Sequence, residues 1–555
     1  MTSKYKPTEF VIYEPMGDKD IYITRSGAFV KFEYFNGDTE QIIKKIKLIY
    51  NYFTLSSRNI LGDIKYLKCY VMNKDQGRMI IPRFGIFEIL ESKYGLANYK
   101  CISQISQGEE PETPFEWLGV QTENQKVVTD TILNQYYTPE RVAAGSAGVI
   151  VDLDAGQGKS YVAAYLIAKL QLKTAIILHT TALVDQWVKV LKTALGRDVS
   201  IGYYYSKKKR EGDIVIMIVD SASHEKFKVN GEEISPINYY KKFGLFIYDE
   251  CHLYSNKKSL KALKFAQGTY MLGLSATTNE HTLGYDRAVW WNIGPVLDTR
   301  AIPNFVSTSE NFKAIVHRIM YKGPDKYTKV LITEGTGMVS SAQTVNMICE
   351  DNYRSKLVIQ CIKEGLTLGL SLFVFADRRE YLEKLRLMLK SGEIMTSDDD
   401  FVRIVGGSAS DALEIAEVKS KVIFTTYQYM GTGKSIVKMN GLVLANPRKS
   451  KMKQYINRIF RLGSDESIVR HIWDICDTKL SFSSQWYTRK KHYDSKNYDI
   501  VTRNVDYTEI QDDIEEAPFY ESPRNIKRKK KKDINNPAVE PNAALTENII
   551  NLLSS

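Results

Sequence analysis

From about Phe115 onward, short apolar runs alternate with amphipathic helical stretches, and this alternation is the tightest constraint on the fold. A run such as residues 245–248, Leu-Phe-Ile-Tyr, is apolar at every position rather than every second one, so it fits a strand covered on both faces. Strands of that kind separated by helices build parallel sheets with helices on either side. One series comprises residues 148–153, 175–178, 214–219, 245–248 and 271–274, and a second comprises 372–375, 402–405, 422–424, 442–444 and 469–475. The expected class is α/β, with two tandem parallel-sheet lobes at 113–300 and 346–500 joined by a less regular connector at 301–345.

The flanks read differently. Residues 1–112 show short strand patterns at 10–13, 28–34 and 66–71 and a helical stretch at 42–53, ending in the polar loop 107–114. An α+β accessory domain is expected there. In residues 501–555 apolar density falls, acids cluster at 512–516, and 527–532 reads Lys-Arg-Lys-Lys-Lys-Lys. Such a tail buries too little apolar surface to offset its ordering entropy and is expected to be disordered. Its basic run fits a nuclear-localisation signal, an electrostatic anchor for nucleic acid, or a merely solubilising tail.

At 555 residues the chain exceeds what one core accommodates. No stretch approaches the ~20 apolar residues of a bilayer crossing, and the opening residues are polar, which points to a soluble, non-secreted protein. Six cysteines without a C-x-x-C pair fit a reducing intracellular compartment and encode no local zinc or iron–sulfur site. The formal net charge of +11 favours polyanionic partners.

Residues 149–160, Val-Ile-Val-Asp-Leu-Asp-Ala-Gly-Gln-Gly-Lys-Ser, run from an apolar strand through a glycine loop into a helix. That is the context of a P-loop: Ala155, Gly156, Gln157 and Gly158 turn backbone N–H groups toward phosphate oxygens, Lys159 reaches the β- and γ-phosphates, and Ser160 is placed to ligate Mg²⁺. Leu153 stands where the general pattern has its first glycine. Downstream, Asp249 and Glu250 close an apolar strand at the sheet's carboxyl edge, where the P-loop also opens. Asp249 is expected to hold Mg²⁺ and Glu250 to orient and deprotonate the attacking water, so ATP and Mg²⁺ are the expected cofactors.

Together these motifs resemble superfamily 2 helicases of the XPB/UvsW type, in the family's order from Gln125 to Arg461. Asp-Glu-Cys-His at 249–252 is similar to the DExH box, and Ser-Ala-Thr at 275–277 to motif III, which makes His252, Ser275 and Thr277 coupling residues. The segment 180–187 resembles motif Ia, so Thr180, Thr181 and Gln186 are implied to meet the nucleic-acid backbone, and Gln125 falls where relatives read adenine. In the second lobe, 372–378 resembles motif IV, 425–433 motif V with Thr425, Thr426 and Gly433, and 454–461 motif VI with Gln454 and the arginine fingers Arg458 and Arg461. Asn457 replaces the usual glycine of motif VI, and Ser435 a common aspartate of motif V. The stretch 431–435 mimics a second P-loop but lacks the strand before it and the helix after it, so motif V is the better account.

The resemblance implies two RecA-like lobes and an ATP-dependent helicase or translocase acting on nucleic acid. Its accessory domain, including Ile-Ile-Pro-Arg-Phe at 80–84, is similar to N-terminal regions of large-DNA-virus and phage helicases, including poxvirus transcript-release helicases. That implies duplex DNA as substrate, a role in transcription, repair or recombination, and RNA polymerase or transcription factors as partners, in a host cytoplasm or virion, while the basic run 527–532 leaves the nucleus open. An RNA helicase stays open, as does a non-hydrolysing subunit that clamps nucleic acid. The segment 485–493 interleaves aromatic and basic residues, fitting either a nucleic-acid surface or a solvated helix face.

Overall fold

Val, Ile, Leu and Phe at successive positions suit a pleated surface covered on both faces, and in the computed structural model of the chain they form two parallel sheets. The structure describes residues 19–58, 64–73, 77–154, 156–229, 231–256, 258–276, 285–306, 312–332, 339–391, 401–404, 420–430, 436–448, 452–460 and 464–510. The tail run 527–532, the strand pattern 10–13 and the loop 431–435 lie outside them.

The first sheet runs, edge to edge, Lys208–Arg210, Ile201–Tyr205, Ile214–Ile218, Thr174–Leu178, Leu245–Asp249, Tyr270–Ser275, Gly148–Asp152 and Val296–Asp298. Only its outermost pair is antiparallel. Asp249 lies level with Leu274, and Ser275 with Asp152, so three strands end together at one edge. The second sheet runs Phe401–Ile404, Val422–Thr426, Leu372–Ala376, Gly441–Leu444, Arg470–Asp477, Ala314–Lys322 and Asp499–Asp506, parallel throughout.

Two of these strands correct the reading of the sequence. Ala314–Lys322 falls in the stretch read as a connector, yet lies between two neighbours of the second sheet. Its Ala-Ile-Val-His-Arg-Ile-Met-Tyr-Lys pattern was obscured by polar residues that the fold accommodates: His317 meets His471 at 2.8 Å, and Arg318 lies 4.5 Å from the Trp486 ring centroid. Asp499–Asp506 extends into the stretch read as tail. As an edge strand with half its residues exposed, it needs little apolar content.

The N-terminal residues form a five-stranded sheet, Val71–Asn73, Arg78–Ile81, Gly27–Lys31, Lys19–Thr24 and Tyr99–Ser103, packed with the helix Thr39–Tyr52. Asp38 caps that helix by accepting from Gln41 N at 2.8 Å. Two buried arginines dock this layer on the first lobe. Arg83 donates to the carbonyls of Gly145 (2.6 Å), Thr269 (2.9 Å) and Gly268. Arg25 donates to Ser106 Oγ (2.9 Å) and to the carbonyls of Lys241 (3.2 Å) and Gln267. The carbonyls compensate only in part for lost hydration, and burial pushes Arg83 down to about 9.

In the second lobe the helix Gln485–Ser495 turns one face to the core and leaves the other solvated. Trp486, Arg489 and Tyr493 face the core, and Arg489 grips Asp474 with two bonds of 2.7 and 2.8 Å while Tyr493 donates to the same carboxylate at 2.9 Å. Tyr487 and Lys491 are left at the surface.

Candidate nucleotide site and nucleic-acid track

The strand Gly148–Asp152 ends beside the helix Lys159–Leu170, and the intervening loop turns on two glycines in left-handed conformation, Gly156 (φ 89°) and Gly158 (φ 78°). A Cβ on Gly158 would collide with the Gln125 amide, and the left-handed backbone there disfavours a side chain in any case. Gln125 sits in the first turn of the helix Glu123–Thr131, where Thr122 and Gln125 form a reciprocal cap. Its Oε1 accepts from Thr122 N at 2.9 Å and its Nε2 donates to Gln157 O at 3.2 Å. The buried amide therefore clamps the loop from below. Leu153, where the general motif has glycine, is buried, and its carbonyl accepts from Lys159 Nζ at 3.3 Å. Ser160 follows Lys159 in the first turn of the helix, whose N-terminus favours anions.

Opposite the loop, Asp249 is the last residue of its strand and Glu250 steps off it in a left-handed conformation (φ 48°). Such a backbone costs a non-glycine residue on the order of 1 kcal/mol. It separates the two carboxylates into different surroundings. Asp249 points inward: Oδ1 accepts from Glu250 N at 3.0 Å and Oδ2 from Trp187 Nε1 at 2.9 Å. Burial, and then the neighbouring Glu250 charge, push Asp249 up to about 6. Glu250 points toward Lys159, with Oε1 3.9 Å from Nζ, and toward His252, with Oε2 3.5 Å from Nδ1. His252 Nδ1 is 2.9 Å from Ser275 Oγ, so a polar chain joins Glu250 to the end of the neighbouring strand.

The second lobe brings Arg458 to this cluster. It lies in the turn Asn457–Ile459, 2% exposed, beside the short helix Met452–Ile456 that carries the buried Gln454. Burial pushes the Arg458 guanidinium down to about 10, and the opposing field of the Glu250 carboxylate resists that shift. A further link between the lobes is Lys496 Nζ to Asp154 Oδ2, 3.3 Å, both side chains largely buried. Tyr498, which feels the Asp154 charge, stacks on Phe460 at 5.2 Å. The sequence reading missed Trp187, Asp154 and Lys496 as site residues. Trp187 lay within the motif Ia match, but nothing in its spacing distinguishes a carboxylate donor from a core aromatic.

The expected nucleic-acid residues lie at strand ends and on the helix that follows one of them. Thr180 and Thr181 follow the strand Thr174–Leu178, and Gln186 is exposed on the helix Val184–Leu195. Thr425 and Thr426 close the strand Val422–Thr426; Thr425 is fully buried, while Thr426 Oγ1 accepts from Tyr429 N at 3.2 Å. Ala155, Thr277, Gly433 and Arg461 lie outside the described residues.

Residues 120–280 match the family model "Type III restriction enzyme, res subunit". A protein of African swine fever virus (isolate Tick/Malawi/Lil 20-1/1983), named as an ATP-dependent RNA helicase, is 30% identical over 379 residues, 64% of this chain and 70% of that protein. One of Acanthamoeba polyphaga mimivirus, with the same kind of name, is 24% identical over 489 residues, 86% of each. The ATP-dependent DNA helicase uvsW of Enterobacteria phage T4 is 21% identical over 367 residues, 62% of this chain and 68% of that protein. With the glycine loop, the Asp-Glu-Cys-His strand end and two parallel-sheet RecA-like lobes in one chain, the protein belongs to the superfamily 2 helicases, motors that bind nucleic acid and hydrolyse ATP, and is similar to those of large DNA viruses.

Proposed function

We propose that this helicase translocates on DNA, and that one constellation carries its hydrolytic step: Lys159, Glu250 and His252 from the first lobe facing Arg458 from the second. The observation that supports it is Glu250 held between Lys159 Nζ (3.9 Å) and His252 Nδ1 (3.5 Å), within the field of Arg458. Backbone N–H groups at Gly156–Lys159 and the Lys159 ammonium bind the phosphates. Glu250 orients a water and accepts its proton, and Arg458 stabilises charge building on the γ-phosphate. Arg461 would act with Arg458, and Gln454 would position the water from the second lobe. Because Arg458 comes from the other lobe, hydrolysis needs the lobes together, which ties chemistry to movement. His252 and Ser275 relay that state along the strand ends, with Thr277 two residues beyond Ser275.

Mg²⁺ fits the residues present. Asp249 is a buried carboxylate beside a second carboxylate, with its titration raised, and a divalent cation would supply the positive charge it lacks. Ser160 and Asp249 would hold the ion, which neutralises phosphate charge when bound.

Thr180, Thr181, Gln186 and Thr426 are assigned to the phosphate track; Thr425, expected with them, is fully buried and cannot meet it. The accessory domain (1–112) and the two motor lobes (113–300 and 346–500) are kept, with the strands Ala314–Lys322 and Asp499–Asp506 moved into the second lobe and the start of the tail moved beyond Asp506. RNA polymerase or transcription factors as partners, and transcript release as the setting, belong to this reading through the viral resemblance.

The test is steady-state ATPase activity of wild type and Glu250→Gln, each alone and with duplex DNA, single-stranded DNA or RNA at matched salt. Stimulation by DNA that disappears in Glu250→Gln is expected. Stimulation by RNA alone would replace DNA with RNA as the track, and full activity in Glu250→Gln would remove the proposed base.

A further inference from the structure

The outer edge of the first sheet is a basic hairpin. The strand Ile201–Tyr205 turns at Ser206 (φ 50°) and Lys207 and returns as Lys208–Arg210. Residues 207–210 are four consecutive cations, all exposed. Lys208, Lys209 and Arg210 pair across the ladder with Tyr205, Tyr204 and Tyr203, and each cation lies over the ring opposite it, at 5.8, 5.0 and 5.1 Å. Tyr204 is anchored in turn by Phe227 (4.8 Å) and Tyr239 (5.4 Å). The cationic heads thus lie over fixed rings on an exposed edge, and Arg210 also donates to the Ile201 carbonyl.

Among the described residues no carboxylate lies within 4.0 Å of any of the four cations, and the flanking acid, Glu211, is held by Lys242. Four adjacent like charges repel one another, and none of the described residues supplies them a carboxylate partner. A polyanion would supply the counter-charge.

Topology places the turn at the sheet edge to which the track is assigned. Ile201–Tyr205 is parallel to Ile214–Ile218, which is parallel to Thr174–Leu178, so Ser206 and Lys207 emerge at the same carboxyl edge as Thr180. Two strand spacings separate them, about 10 Å at ~4.8 Å each. From there the remaining cations follow the outer strand for about 7 Å more.

We propose that residues 207–210 are a phosphate-binding extension of the nucleic-acid track, gripping backbone beyond the segment at Thr180 and Thr181. The proposal rests on the track lying along that edge and needs no preference for DNA over RNA. Charged edge strands also block edge-to-edge pairing of sheets. That role alone predicts self-association of a neutralised variant with unchanged affinity for nucleic acid.

The experiment uses the full chain and measures binding of a fluorescent 20-base-pair DNA duplex and an RNA duplex by anisotropy between 50 and 200 mM salt. The proteins are wild type, Lys207→Gln/Lys208→Gln/Lys209→Gln/Arg210→Gln and Lys207→Arg/Lys208→Arg/Lys209→Arg. Glutamines are expected to weaken binding at least tenfold at the lowest salt and to flatten the log–log salt dependence on DNA by about 0.9 for each phosphate that is no longer neutralised. The arginine variant should bind like wild type. ATPase activity without nucleic acid should be unchanged, which establishes that the glutamine variant is folded. Wild-type affinity and salt slope in the glutamine variant overturn the proposal, whether or not that variant self-associates. So does a glutamine variant that loses only binding to polyglutamate, which would mark an acidic protein as the partner. If wild type binds neither duplex, the track itself fails and the extension with it. If Thr180→Ala/Thr181→Ala leaves affinity intact while the glutamines lower it, the track assignment fails and the hairpin stands.

Discussion

Trp187 donates its indole N–H to Asp249 Oδ2 across 2.9 Å, joining the helix Val184–Leu195 to the end of the strand Leu245–Asp249. The segment proposed as motif Ia and the proposed nucleotide site therefore share a buried hydrogen bond.

Trp187→Phe keeps most of the buried ring and removes the donor. Loss of a hydrogen bond to a buried carboxylate costs about 1–3 kcal/mol, and it removes an interaction that lowers the titration of Asp249. Asp249 already titrates near 6, so kcat/KM for ATP in wild type should fall on acidification through about pH 6. In Trp187→Phe that acidic limb should move upward. A pH–rate profile that superimposes on wild type would rule out the coupling.

The same carboxylate gives a stability prediction with the opposite sense to an ordinary ion-paired acid. Its titration is raised in the folded protein from 3.8 to about 6, so the folded state binds the extra proton between those values. The contribution of this group to stability is greatest below about pH 4 and declines as pH rises through 6. Comparing wild type with Asp249→Asn in urea from pH 4 to 7 should show the gap shifting in favour of the asparagine protein as pH rises.

Lys496 and Asp154 join the lobes at 3.3 Å with little solvent around them. In a double-mutant cycle of Lys496→Met and Asp154→Asn, the coupling energy for chemical unfolding should be on the order of 1 kcal/mol. Strict additivity would mean that the pair contributes nothing to lobe association.

Arg458→Ala should lower kcat by about 10³-fold or more while leaving KM for ATP within a few-fold, because the guanidinium acts on charge that develops during transfer. Arg458→Lys should fail to restore the rate, since an ammonium cannot reproduce the planar fork. A large rise in KM with kcat intact would make Arg458 a binding residue instead.

Arg489→Ala tests what the aromatic and basic segment 485–493 does. Removing one partner of the buried Arg489–Asp474 pair should cost about 3–5 kcal/mol, and the loss should appear in thermal unfolding before it appears in the salt dependence of nucleic-acid binding. Selective weakening of binding in a protein of unchanged stability would restore the surface reading.

The chemistry was legible because it is local. Gly156, Gly158 and Lys159 lie within four residues, and Asp249 and Glu250 are adjacent, so strand–loop–helix context alone points to phosphate binding and to a carboxylate pair. The runs of the first sheet and most of the second were legible for a similar reason: a strand buried on both faces is apolar at nearly every position, although residues 469–475 carry Arg470, His471 and Asp474. What the sequence could not determine were relations between residues far apart in the chain. Ala314–Lys322 became a strand because His471, Trp473 and Trp486 receive its polar side chains from more than 150 residues away. Arg489 turned inward because Asp474 waits beneath it, and its neighbours in sequence gave no sign of this. Trp187, Asp154 and Lys496 joined the nucleotide site only once the sheets were assembled. Motif and periodicity are properties of neighbouring residues, whereas desolvation, ion pairing and lobe contact arise between surfaces that only the folded chain brings together.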